Sequence, residues 1–251
     1  MFVLQSEIKI GAYKFTRIAD VEVMRSVHRL CATASIRIPV SSMIKGQGEV
    51  LGQSETAKAI KVGDPVEIRL GYGKESNLEF KGYVRKINLT TPLEIECEDE
   101  FYTTRSKEVS FSGDAVKVAD LLQNCGLSVG EAADVELKNF VADNAMLSEV
   151  LRRIAAEYGL DVFFDLEGKV YAVETAGYKT DTVKYGLRKN MIRAEESELC
   201  TFLLPYAEPC MVAEITDDAY SERNGKFLIE AVRTTFGTHG ARRRISLGDE
   251  V

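Results

Sequence analysis

The sequence predicts a mainly β protein with an α/β insert, in which two small β-barrel domains flank a helix-containing middle domain. Short segments that alternate apolar and polar residues fill the first and last thirds of the 251 residues, whereas stripes of period 3.6 occur only in the middle. Glycine and proline interrupt the alternating segments roughly every 10–15 residues, the spacing of small sandwiches and barrels. The expected division is 1–105 for the first barrel, 106–181 for the α/β domain and 182–251 for the second barrel.

The elements follow in order. Ile8-Lys9-Ile10, a turn at Gly11, Tyr13-Lys14-Phe15, Val21 to Met24 and Ala34 to Val40 read as an antiparallel meander. Residues 41–61 lose the alternation among Gly46, Gly48 and Gly52 and are expected to be an exposed excursion. Strands resume at Pro65 to Leu70, Phe80 to Ile87 and Leu93 to Glu98. In the middle, Val118, Leu121, Leu122 and Cys125 form one helical stripe, and Met146, Leu147, Val150, Leu151, Ile154 and Tyr158 another. Each helix is expected to start after a capping Asp114, Asp143 or Asn144 and to end at Gly126-Leu127 or Gly159-Leu160, where glycine adopts the left-handed conformation. A strand at 134–141 and a hairpin, Asp161 to Asp165 and Lys169 to Val173, complete the insert. The last third returns to strands at Leu199 to Leu204, Met211 to Ile215, Phe227 to Phe236 and Arg243 to Leu247. There the hairpin of 209–235 echoes that of 65–87, as a duplicated barrel would.

Composition excludes several classes. The net charge of −7, from 39 acidic and 32 basic residues, disfavours tight nucleic-acid binding, which relies on cations displacing counterions from phosphates. The five cysteines lie at least ten residues apart, which rules out zinc spacings and argues for reduced, mostly buried thiols. The N-terminus lacks a basic segment ahead of an apolar one, so no secretory signal is expected, and no apolar run approaches the ~20 residues of a membrane span.

Motifs for chemistry are equally sparse. His28 and His239 lie in turn sequences without a nucleophile or zinc-ligand spacing, and Gly71-Tyr72-Gly73-Lys74 follows a strand and opens no helix, so it reads as a β-turn. No catalytic residue, cofactor site or metal site is assigned. Glu94, Glu96 and Glu98 share one face of a strand and read as a solvated acidic face, followed by Asp99 and Glu100. Arg223, Lys226, Arg233, Arg242, Arg243 and Arg244 oppose a single acid, Glu230, over 223–244, while 194–222 is acidic, an asymmetry suited to docking.

Taken in order, Gly63-Asp64-Pro65-Val66 leading to Gly71-Tyr72, then Phe80-Lys81-Gly82-Tyr83-Val84, then Leu93 to Asp99, resemble the first β-domain of bacteriophage tail baseplate hub proteins. The family is that of late control protein D, similar to the hub part of type VI secretion spike proteins. The helix Leu147 to Ala155 with Gly159-Leu160, the hairpin at Glu167-Gly168, and the closing Gly225 to Val232 and Phe236 to Ile245 extend the resemblance over most of the chain. It marks Gly63, Asp64, Val66, Gly71, Tyr72, Phe80, Gly82, Val84, Glu98 and Asp99 as family-signature positions.

The resemblance implies a non-enzymatic structural hub of a phage or prophage-like contractile tail, without cofactors. Its copies would form a homotrimeric ring that joins the tail tube to a spike on a separate chain, with tape-measure or other baseplate proteins as further partners. Such a protein belongs to the virion tail and is assembled in the bacterial host cytoplasm. DNA would be met only in transit, through a channel whose wall Glu94, Glu96 and Glu98 would line, while Arg233, Arg242, Arg243 and Arg244 would dock partners. Two other readings stay open: a tail-associated carboxylate-dependent cell-wall hydrolase, and a ligand-binding β-barrel module.

Overall fold

The computed structural model describes residues 3–15, 20–38, 41–45, 50–175, 178–186, 189–195, 197–238 and 240–251, with backbone alone for 41–45 and 50–56. His239, Pro39, Val40, Gly46 and Gly48 lie outside the described residues.

Among the described residues the fold is mainly β with a helical insert, as expected. In the first third, β1 (Leu4–Ile10) pairs with β2 (Tyr13–Phe15) and, on its other edge, with β7 (Pro65–Tyr72). β3 (Asp20–Ser26) and β4 (Thr33–Ile38) form a hairpin that joins β9 (Leu93–Glu98), and β8 (Glu75–Asn88) lies between β7 and β9. A simple meander is thus corrected, because β3 turns away from β2. Alternation sends Ile8, Ile10, Val21, Val23, Ile36, Ile38, Val66, Ile68, Phe80 and Ile95 into one core. The segment expected as an excursion carries regular structure. It folds as a hairpin, β5 (Ser41–Lys45) with β6 (Val50–Glu55), then a helical turn α1 (Thr56–Ala59), and Ile60 is buried. Backbone pairing of Lys45 with Lys14 extends the sheet there, and a ladder needs no apolar alternation to form.

The insert holds a second core. It follows a helical turn, α2 (Phe101–Thr104), and comprises β10 (Glu108–Lys117), α3 (Val118–Asn124), β11 (Val129–Ala132), β12 (Glu136–Met146), α4 (Leu147–Tyr158), β13 (Asp161–Phe164) and β14 (Val170–Val173). Both helix ends are as expected. At α3 Gly126 N–H donates to Gln123 O and Leu127 N–H to Leu122 O, 2.8 and 3.1 Å, a Schellman closure that also buries Leu127. Gly159 ends α4 at φ 67°. The starts differ: Asp114, Asp143 and Asn144 belong to β10 and β12 and cap nothing. Instead Leu147 and Ser148 donate to Lys107 O and Arg105 O, and Val118 donates to Val135 O, so neighbouring backbone supplies the acceptors.

The third core lies among β15 (Thr182–Gly186), β16 (Met191–Ala194), β17 (Glu198–Thr201), β18 (Val212–Thr216), β19 (Gly225–Gly237) and β20 (Gly240–Glu250). β19 pairs with β20 along one edge. Its other edge changes partner: Gly225 to Leu228 pair with β18, and Ala231 to Gly237 pair with β3. One sheet therefore runs through both the first and the last thirds of the chain.

Candidate functional site

The family-signature positions gather around the β7–β8–β9 ladder. Gly63 N–H donates to Val84 O and Val84 N–H to Asp64 O, at 2.8 and 2.9 Å, while the Asp64 carboxylate accepts Lys61 N–H at 2.8 Å. This fastens the start of β7. Val66, Phe80 and Val84 are core residues, and Tyr72 Oη accepts Leu203 N–H at 3.4 Å. Gly71 and Gly82 sit where chains cross closely: a Cβ would lie 1.9 Å from Glu75 O and 2.1 Å from Glu98 O respectively.

The acidic strand is partnered rather than bare. Glu94 is 3.6 Å from Arg37, and Asn88 Nδ2 donates to Glu94 and Glu96 at 3.2 and 2.8 Å. Glu98 departs from the expected solvated face. It is 4% exposed and paired with Arg85 at 3.0 Å and Arg105 at 2.7 Å, because β8 and α2 cover the end of β9 where Glu98 faces. Asp99 is buried and accepts Ala32 N–H at 2.6 Å and Phe101 N–H at 3.0 Å. Burial raises its carboxyl to about 7, outweighing those two donors, which act to lower it.

Of the four basic residues, three reach one exposed face. Arg233 lies opposite Arg244 on β19 and β20, and Arg242 stands two positions before Arg244 on the same strand. Arg233 pairs with Glu22 at 2.8 Å and Arg244 with Glu198 at 3.3 Å. Arg243 is corrected: strand alternation turns it inward with Ala241 and Ile245, and none of it is exposed. There Arg243 Nη2 donates to Glu79 at 2.5 Å and Nη1 to Leu203 O and Pro205 O, both at 2.7 Å, while Thr234 Oγ1 donates to the other Glu79 oxygen at 3.1 Å.

Sequence reasoning missed the junction between the insert and the sheet. His28, in the β3–β4 turn, places Nδ1 2.8 Å from Asp161 of β13 and Nε2 3.5 Å from Glu230 of β19. Burial works against the imidazolium, but Asp161 and Glu230 outweigh it and raise its pKa. Nearby, buried Arg25 donates to Tyr206 Oη at 2.8 Å and Glu208 at 3.1 Å. A cleft of about 250 Å³ beside them is lined by Arg25, Phe163, Tyr171, Tyr178, Glu208 and Cys210. Burial pushes the Cys210 thiol up to about 12, so it carries no thiolate nucleophile near neutral pH. Among the described residues no group of three or more His, Cys, Asp or Glu is placed to hold a metal ion. None of their helices is long and apolar enough to cross a membrane.

No family model and no curated protein matches the sequence. Solved structures do match its fold. The chain is similar to the 43 kDa tail protein of prophage MuSo2 from Shewanella oneidensis, with a TM-score of 0.68 and 12% identity over 97% of this chain and 96% of that one. It is also similar to a tail protein from Neisseria meningitidis, with a TM-score of 0.64 and 10% identity over 98% and 97%. A third likeness is to the Escherichia coli c3393 protein, described as a component of the type VI secretion system, with a TM-score of 0.62 and 10% identity over 96% of this chain and 76% of that one. Identities this low make the likeness one of fold. The chain has the fold of phage and prophage tail proteins and of a type VI secretion component.

Proposed function

We propose that this chain is the structural baseplate hub of a phage or prophage-like contractile tail, a non-enzymatic part of the virion tail assembled in the host cytoplasm. In this reading three copies form a ring that joins the tail tube to the spike and leaves a channel for DNA or tape-measure protein. The observation that carries the reading is the β19–β3 pairing. It merges both β regions into one sheet, in a fold shared over almost the whole length with tail proteins.

Two features support the finer statements. The segments that echo in sequence are both hairpins followed by a third antiparallel strand, β7–β8–β9 and β18–β19–β20. Read as duplicated barrels of 1–105 and 182–251 around an insert of 106–181, they would give a trimer six similar units, matching a threefold spike to a sixfold tube. Glu94 and Glu96 remain half-buried and available to a channel wall, where carboxylates repel phosphates. Arg233, Arg242 and Arg244 offer a basic face to the tube, spike or other baseplate chains.

Native mass spectrometry over a concentration series, alone and with the neighbouring tube and spike proteins, tests this. A species of three times the 27.9 kDa chain mass is expected, with each interface burying more than about 1,000 Å². A chain that stays monomeric even with those partners would overturn it.

A further inference from the structure

An open groove of about 640 Å³ lies between the β3–β4 turn and α4, next to the end of β9. Its floor is apolar: Leu30 and Phe101 belong to the core of the insert, and Ala155 and Ala156 on α4 leave room for an incoming backbone. Exposed arginines stand on its two walls, Arg29 on the turn and Arg152 on the helix. Most of the described arginines are matched with a carboxylate or a carbonyl. Arg29 and Arg152 make no ion pair and no side-chain hydrogen bond among the described residues. His28, at the groove's end, already has its own acids, Asp161 and Glu230.

We propose that this groove docks a short acidic segment of a second protein, seating an apolar side chain on Leu30, Phe101 and Ala155 and its carboxylates on Arg29 and Arg152. Unpaired guanidinium groups flanking an apolar floor complement that chemistry, since one ligand then satisfies both. Nucleic acid fits less well. It brings no apolar anchor, two arginines release few counterions, and the net charge of −7 repels a long polyanion. The inference does not depend on ring formation.

Panning a random-peptide display library against the full chain, then measuring a resynthesised winner by fluorescence anisotropy, tests it. Peptides combining acidic and apolar residues are expected. Their affinity should fall at least about tenfold in the Arg29→Glu/Arg152→Glu variant, and as much when their acids become amides. Neither arginine holds a folded partner, so the variant should melt like the parent. Independently of any variant, the peptide should shift the methyl NMR signals of Leu30, Ala155 and Ala156 in the parent protein. The proposal is overturned if the variant binds as tightly as the parent, if the shifts map elsewhere, or if duplex DNA or phosphatidylserine vesicles bind more tightly through the same arginines. A charge reversal that alters only the chain's own oligomeric mass would assign the groove to a second copy and overturn it equally.

Discussion

Replacing Arg243 by methionine should cost about 5 kcal/mol, close to the whole stability of a marginal domain. The side chain is fully buried against Glu79, which is itself 2% exposed. Breaking a buried pair by removing one partner costs about 3–5 kcal/mol, because the other charge is left without compensation. Leu203 O and Pro205 O also lose their donor, at the lower end of about 1–3 kcal/mol each, since that loop can relax toward water. Glu79→Gln keeps one oxygen to accept from Arg243 and can turn its NH2 to donate to Thr234 Oγ1, but it leaves the guanidinium without a counter-charge and should cost about 3 kcal/mol. The double variant Glu79→Leu/Arg243→Met buries no charge and loses mainly the carbonyl partners. It should cost about 2 kcal/mol, less than either single change. Urea unfolding followed by far-ultraviolet circular dichroism measures all three in a chain that lacks tryptophan. Single costs below about 1 kcal/mol, or a double cost no smaller than that of Arg243→Met alone, would refute the view that this pair ties the C-terminal strands to β8.

Gly82→Ala should destabilise by about 3 kcal/mol or prevent folding, because its methyl would lie 2.1 Å from Glu98 O, whereas a Cβ at Gly73 meets nothing within 4 Å and that change should cost only about 1–2 kcal/mol; thermal melts compare the two. The His28 contacts should weaken as pH rises. Its folded pKa is raised, so its contribution is complete below the unfolded value near 6.5 and fades as pH climbs through the folded one, and His28→Ala should remove that part of the pH dependence of amide exchange in β13. Asp99 acts in the same direction although it is an acid. With the carboxyl raised from 3.8 to about 7, its contribution is complete below pH 3.8 and fades toward pH 7, so its ¹³C carboxyl signal should titrate near neutrality, apart from the exposed carboxylates.

What could be read from sequence was what local spacing controls. Period-two alternation marked β7, β8, β9, β13, β14, β18 and β19, and the Gly-Leu pairs marked both helix ends, because a left-handed residue and its apolar neighbour are a local arrangement. The helix starts were not legible, since their N–H groups are satisfied by Arg105, Lys107 and Val135 rather than by an adjacent side chain. β10 escaped notice because its end was absorbed into the α3 stripe. Arg243 was legible in principle: Ala241, Arg243, Ile245 and Leu247 alternate with exposed Arg242 and Arg244, and reading the three arginines as a block concealed the period. His28 offered no signal, because its partners lie on strands far along the chain.

The two kinds of attachment in this fold differ in stiffness, and that difference bears on a hub. Along β19, backbone pairing with β18, β3 and β20 is locked by buried Leu228, Ala231, Val232, Thr234 and Phe236. A one-residue slip would turn that set toward the exposed face, so the two β regions cannot slide past one another. The insert is held differently, by the side-chain contact of His28 with Asp161 and by the packing of Leu30, Cys31 and Phe101 in its core. Such contacts break singly, and that of His28 responds to pH, whereas a ladder yields only as a whole. If the chain serves as the proposed hub, a load passed from tube to spike would travel through β19, leaving the insert as the part whose seating can be adjusted. The groove between the β3–β4 turn and α4 lies on that same adjustable boundary, so a segment bound there would fasten the insert to the sheet.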